Sequence, residues 1–257
     1  MKKLLLLSAL LIFACSSDDS SNDDDNNNNN NSGLLNCDGN PIPSIVYGSQ
    51  EWTVENACHI TYRDGTPIPQ VADYTEWDNL TTGAWCYYDN DYPLEGKLYN
   101  WYAVMGIHDN DENTANKEFA PEGWHVPSDA EWKTLEEYLI ANGYNYDGSS
   151  YSCSPCSLEE NKIGKSMAST TGWVSSFYNG AVGNDQSLNN SSGFNALPRG
   201  YFDGLFGLYG EGVEAIFWTS TQEGNDAHYG LIDTDAMDFT RWQFPKINGC
   251  SVRFVKD

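Results

Sequence analysis

Cys153-Ser154-Pro155-Cys156 is the spacing in this sequence nearest to a reactive one. A CxxC does redox work when a helix N-terminus or a cation lowers one thiol's pKa. The run before it, residues 145–152, lacks a βαβ pattern, and no second CxxC or paired histidines accompany it as zinc would require. A tight structural disulfide in an irregular loop is the expectation. With Cys15 set aside, Cys37, Cys58, Cys86, Cys153, Cys156 and Cys250 remain, and six cysteines permit 15 pairings. Cys58 with Cys86 is the first expected pair, and Cys37 with Cys250 would staple the ends of the domain.

Histidine chemistry has little local support. His125 sits at the start of a helical signal, but a general base needs a second group aimed at it, and no neighbour in sequence supplies one. A hydrogen-bonded structural histidine is expected there. His59, His108 and His228 stand apart. Hard cations want clustered oxygens, and Asp109-Asn110-Asp111-Glu112-Asn113 offers them at alternate positions. Thr114 stands where an EF-hand loop needs glycine, and Ala120 where it needs a bidentate glutamate. Asp109, Asp111 and Asn113 are therefore calcium candidates set against a solvated acidic loop, and Ca2+ is the one cofactor to consider.

Aromatic side chains are the other candidates. Trp77, Trp85, Tyr87, Tyr88, Tyr209 and Trp242 fall in loops or irregular strands, with Asp89 and Asp91 close by. Exposed rings beside carboxylates stack on sugars or anchor a protein partner, whereas the same rings can simply pack a long loop. Trp52, Trp101, Trp124, Trp132 and Trp218 lie in apolar stripes or motifs and are expected in the core. A net charge of -24 repels phosphate backbones, so nucleic acid is excluded as a partner.

The elements that would hold these residues start after an address segment. Lys2 and Lys3 precede an apolar run over residues 4–13, too short to span a bilayer, which reads as a signal peptide over residues 1–14. Leu11-Ile12-Phe13-Ala14-Cys15 resembles a bacterial lipobox, which implies a lipid on Cys15. Residues 16–33 contain almost nothing except Ser, Asp and Asn and have no apolar surface to bury, so residues 15–36 are expected to be a disordered tether. Cys15-Ser16-Ser17-Asp18-Asp19 is similar to the acidic export signal of Bacteroidetes surface lipoproteins. The expected location is the outer membrane, lipid-anchored and facing outward, with residues 37–257 as one domain.

Within that domain, residues 50–54 read as a strand and residues 63–96 as a long loop. Leu98, Trp101, Tyr102 and Met105 make one helical stripe. Ser128 with Glu131 forms a capping box ahead of Trp132, Leu135, Tyr138 and Leu139, with Gly143 as the stop. A shorter helical piece is expected over residues 158–167. Strand-like runs follow at 194–197, 215–221, 228–233, 239–244 and 251–255. Helices early and strands late suggest an α+β fold.

Five motifs in order resemble one family. They are Leu98-Tyr99-Asn100-Trp101-Tyr102-Ala103-Val104, Gly123-Trp124-His125-Val126-Pro127-Ser128-Asp129-Ala130-Glu131-Trp132, Phe194-Asn195-Ala196-Leu197-Pro198, Phe217-Trp218-Thr219-Ser220-Thr221 and Ser251-Val252-Arg253-Phe254-Val255-Lys256-Asp257. Together they resemble the Fibrobacter succinogenes major paralogous domain, from near Ile45 to the C-terminus. The resemblance implies a C-type-lectin-like fold akin to formylglycine-generating enzymes, with two main helices packed on a small twisted antiparallel sheet with long loops. It implies no activity. The late copper-binding cysteine pair of those enzymes has no counterpart, since Cys250 stands alone near the end. Ala120 and Phe254 stand where relatives commonly carry cysteine, and the Glu-Pro-Asn, Gln-Pro-Asp and Trp-Asn-Asp motifs of calcium-dependent lectins are absent. The expected role is a non-enzymatic binding module for a glycan or protein ligand, or else an accessory subunit of an outer-membrane protein complex.

Overall fold

Ser128 begins the longest helix as its sequence requires. Its side chain accepts a hydrogen bond from the Glu131 amide while the Glu131 carboxylate accepts from the Ser128 backbone, so two otherwise unpaired amides are satisfied. The helix that follows runs Asp129–Ala141, and Trp132, Leu135, Leu139 and Ile140 are buried along one side. The computed structural model describes residues 36–37, 39–88, 96–149 and 161–257, all within one unit that spans Ser32–Asp257.

Strands dominate. In chain order the elements are β1 (Ser44–Tyr47), β2 (Gln50–Thr53), α1 (Tyr74–Trp77), β3 (Trp85–Tyr87), β4 (Lys97–Asn100), α2 (Trp101–Val104), β5 (Trp124–His125), α3 (Asp129–Ala141) and α4 (Gly164–Met167). Then come β6 (Arg199–Asp203), β7 (Gly207–Glu211), β8 (Glu214–Glu223), β9 (Asp226–Asp233), β10 (Thr240–Pro245), β11 (Gly249–Cys250) and β12 (Val255–Lys256). A small sheet has the order β1-β2-β12-β5, and a larger one the order β10-β9-β8-β6-β11-β4-β3, with β7 paired to β6.

Helix α3 packs between the two sheets. Trp132 meets Trp52 of β2 edge-on at 4.6 Å, Phe217 of β8 at 5.6 Å and Phe239 at 5.2 Å. The opposite face of the large sheet carries a second core, with Tyr99, Trp101, Ile216, Trp218, Cys250 and Phe254. Trp77, Cys86, Leu98 and Phe202 make a third cluster beside β3 and β6.

This architecture corrects the α+β, C-type-lectin-like expectation. Among the described residues α3 alone is longer than four residues, and the chain is mostly β-sheet in two sheets rather than two main helices on a small one. The expected helix around Leu98 resolves into strand β4, which pairs with β3 and β11, followed by a single turn, α2, capped by the Asn100 side chain. Strand β3 arises where loop was expected, and β6 and β7 arise where the sequence reading assigned no element. Their partners lie elsewhere in the chain, and Gly200, Gly207 and Gly210 interrupt any alternation in β6 and β7. The strand expected at 251–255 is not continuous: Ser251 makes an isolated bridge to Phe217, Val255 begins β12 of the small sheet, and Arg253 is fully buried between them.

The cysteine pairing also differs from expectation. Cys37 bridges Cys58, while Cys86 and Cys250 are free and buried. Cys86 lies opposite Leu98, and Cys250 opposite Tyr99, the next residue of β4. Successive strand residues face opposite sides of a sheet, so these two thiols lie in different cores and do not meet. Cys153 and Cys156, like Cys15 and the tether, lie outside the described residues.

Candidate functional site

β10 pairs with β9 alone among the described strands and forms an edge of the large sheet. Alternation along it sends Arg241 and Gln243 toward α3, and Phe244 toward the other face. The Arg241 Nη1 donates to both carboxylate oxygens of Asp129, each at 2.7 Å, and its Nε donates to Glu136 Oε2 at 3.3 Å. Asp129 opens α3, and its amide donates to Thr221 Oγ1 of β8 at 3.0 Å. His228 of β9 lies directly opposite Gln243. Its Nδ1 is 3.7 Å from Asp129 Oδ1 and its Nε2 is 3.4 Å from Glu223 Oε2, while the Gln243 amide donates to the same Glu223 oxygen at 2.5 Å.

Asp129, His228, Arg241, Trp242 and Gln243 line a cleft of about 290 Å³. The indole of Trp242 is 69% exposed. Burial opposes the charge of Arg241, yet Asp129 and Glu136 outweigh it and hold the guanidinium above its usual pKa. Burial also raises the Glu136 carboxyl, although Arg241 and Asn161 pull the other way. The cleft thus has a charged, mutually bonded floor, while the same alternation sends the open Trp242 indole to the other face of the sheet with Phe244.

Trp242 lies opposite Tyr229, which starts a row of rings across the other face of the sheet. Tyr229 meets Phe244 at 5.1 Å, Phe244 meets Tyr201 at 5.0 Å, and Tyr201 meets Tyr209 at 5.7 Å. The interplanar angles, 49°, 66° and 56°, make this a herringbone rather than a flat platform. Its middle rings are half-buried and support the exposed Tyr209 at the far end. Glu214 and Asp233 face each other across β8 and β9 on this side. Burial raises both carboxyls, and each also feels like charge, Glu214 from Asp233 and Asp233 from Asp235 and Asp238.

Of the sequence-named aromatics, Tyr209 and Trp242 are open to a ligand. Trp77 (0% exposed), Trp85 (5%) and Tyr88 (8%) are instead packed in the core. Trp77 donates to Ile247 O at 2.5 Å, and Trp85 donates to Ile68 O at 2.9 Å under the Lys97 ammonium. Tyr87 is half-buried beside the same lysine. These rings close the loop around α1 rather than join Trp242. Asp89 and Asp91 lie outside the described residues.

The acidic loop is turned on itself. Asp109 Oδ1 accepts from the Asp111 amide, and Asp111 Oδ1 accepts from the Asn113 amide and side chain. Among the described residues no group of three or more His, Cys, Asp or Glu side chains is placed to hold a metal ion. His125 has the partners that sequence reasoning lacked, with Asp257 at 2.8 Å on Nδ1 and Glu131 at 2.6 Å on Nε2. Each ring nitrogen is occupied by a carboxylate, which ties β5, α3 and the last residue together.

Sequence reading missed Asp129, His228, Arg241 and Gln243 as members of one site. The alternation Arg241-Trp242-Gln243-Phe244 was a visible signal of a strand with two committed faces. The pairing of Arg241 with Asp129, 112 residues away, left no local trace.

Fold and site together define a mostly-β, disulfide-bearing domain with a charged cleft at a sheet edge and a row of aromatic rings on the sheet's other face. The chain belongs to the Fibrobacter succinogenes major domain family, whose model matches residues 45–256. No curated protein and no solved structure matches it.

Proposed function

We propose that this family member is a non-enzymatic recognition module, held at the outer surface of the cell by lipid on Cys15, whose glycan or protein ligand docks on Trp242. The observation that carries the reading is the open indole of Trp242 on the sheet face that Tyr229, Phe244, Tyr201 and the exposed Tyr209 line with rings. An exposed tryptophan beside a surface of supported aromatic rings is the composition of a binding hot spot. The Cys15 junction and the polar residues after it support display on a tether. The test is a panel of immobilised polysaccharides and cell-surface proteins probed with the full-length protein and with Trp242→Ala. At least one ligand should be held by the native protein and weakened roughly thirty-fold by the substitution, the ~2 kcal/mol of an aromatic hot spot. Binding that Trp242→Ala leaves untouched would move the ligand elsewhere, and a panel with no binder would remove the reading.

A docked accessory subunit is the second reading, supported by loop aromatics away from this cleft. Phe177 is 99% exposed and Phe206 80%. Photo-crosslinkers at these two positions should capture one membrane partner reproducibly if the chain works in a complex.

A further inference from the structure

We infer that the Cys37–Cys58 bridge is a thiol–disulfide exchange site, at which a thiolate attacks Cys37 and Cys58 leaves as a thiolate held by Lys97. Lys97 begins β4 and is only 6% exposed. Its ammonium donates to Cys58 O at 2.6 Å and to Cys58 Sγ at 2.8 Å. It also lies 5.1 Å from the Trp85 ring and 5.3 Å from the Tyr87 ring, and the pairing of Tyr87 with Lys97 across β3 and β4 fixes it there. Among the described residues no carboxylate shares this cation, and burial pulls its pKa down to about 8. A desolvated cation without a counterion is costly. The missing anion is created when the bridge opens, because the Cys58 thiolate then stands against the ammonium. Stabilising the reduced form makes a disulfide easier to reduce, and a lower thiol pKa makes its sulfur a faster leaving group.

The two sulfurs are unequally placed. Cys58 is buried, whereas Cys37 is partly exposed where the polar N-terminal segment meets the domain. An incoming thiolate therefore reaches Cys37. Its sulfur bonds to Cys37 Sγ as the bond to Cys58 breaks, and the bonding pair leaves on Cys58. With a dithiol as reductant, its second thiolate then attacks the reductant's own sulfur in the mixed disulfide and releases Cys37 as a thiolate. The dithiol ends as a disulfide, and its two electrons rest on the two cysteine sulfurs. The fold does not hang on this bridge. β2 pairs with both β1 and β12, and Trp52 packs on Trp132. Opening it frees the stretch ahead of Ile42, a core residue.

The experiment equilibrates the full-length protein without oxygen in glutathione buffers of stepped thiol-to-disulfide ratio. After acid quenching and alkylation, mass spectrometry quantifies the Cys37 and Cys58 peptides. Lys97→Met should shift the equilibrium roughly tenfold toward the bridge, about 30 mV for a two-electron couple. Lys97→Arg, which keeps the charge, should stay closer to the native protein. An equilibrium that Lys97→Met leaves unchanged overturns the proposal, and so does a Lys97→Arg shift as large as that of Lys97→Met, which would assign the effect to packing. The native protein supplies a measurement that needs no variant. Brief glutathione treatment should leave the mixed disulfide on Cys37, and finding it on Cys58 overturns the leaving-group role. Circular dichroism of the reduced native protein should keep the folded spectrum. Unfolding on reduction would make the bridge a staple of the fold and overturn the exchange site.

Discussion

His125 gains its charge from two carboxylates that sequence places 6 and 132 residues away. Burial of the ring disfavours the proton, but Glu131 and Asp257 outweigh it, so the imidazole is raised above its ordinary value. A group whose folded pKa exceeds its unfolded one stabilises fully below the unfolded pKa and loses that contribution as pH rises through the folded value. Glu131 runs the opposite way. Burial alone would raise it, the bonds from Ser128 and His125 hold it low, and its contribution is lost as pH falls through that lowered value. The melting temperature of the native protein should therefore exceed that of His125→Gln by the most in mildly acidic buffer, above the titration of Glu131 and below about pH 6.5. The difference should shrink as pH rises through the raised His125 value. A difference that grows from pH 6 to pH 9 would sink the assignment. The histidine was legible at the entrance of a helix, but its partners were not, because Asp257 reaches it only through the pairing of β12 with β5.

At the scale of elements, α3 is the piece whose every signal is local. Cap, first-turn acids, apolar spacing and the stop at Gly143 sit within one stretch of chain, and the structure reproduces them. Ser128→Ala should cost about 1 kcal/mol in chemical denaturation. A double-mutant cycle with Arg241→Met should be non-additive, since the cap positions Asp129, the residue that clamps Arg241. Additive losses would show that the clamp on Arg241 does not depend on the helix start. The strands behave differently. β11 is two residues long and β3 three, and neither has a period to detect in so short a run. Each exists because β4 lies between them and offers both edges.

At the scale of the molecule, Arg253 joins parts that no local reading connects. Its guanidinium is fully buried, with Nε on Asn56 Oδ1 and the remaining nitrogens on the backbone oxygens of Thr53, Phe194 and Asn195. Phe194 and Phe217 flank it at 4.8 and 5.6 Å. Burial lowers its pKa to about 9, and the carbonyls that ring it hold it in place of a carboxylate. Arg253→Met would fill much of the volume and take the guanidinium away from four acceptors, so it should destabilise by roughly 3 kcal/mol or more in urea denaturation. A loss below about 1 kcal/mol would mean that water or a shifted side chain satisfies those oxygens. The same long-range logic governs the cysteines. Spacing allowed Cys58 to pair with Cys86 and Cys37 with Cys250, but strand alternation puts Cys86 and Cys250 in separate cores, and Cys37 takes Cys58 instead.

Residue order alone determined what depends on neighbours along the chain: the family, the capped helix, the positions of β2, β8, β9 and β10, and the core tryptophans Trp52, Trp101, Trp132 and Trp218. Tertiary structure decided what depends on partners brought from elsewhere. It set the dominance of sheet over helix, the disulfide, the burial of Trp77, Trp85 and Tyr88, and the cleft that Asp129, His228 and Arg241 build beside Trp242. A capping hydrogen bond spans three residues and leaves its mark in composition. A strand pair or an ion pair between residues 112 apart is chosen by the whole chain's packing, and so has no mark to leave.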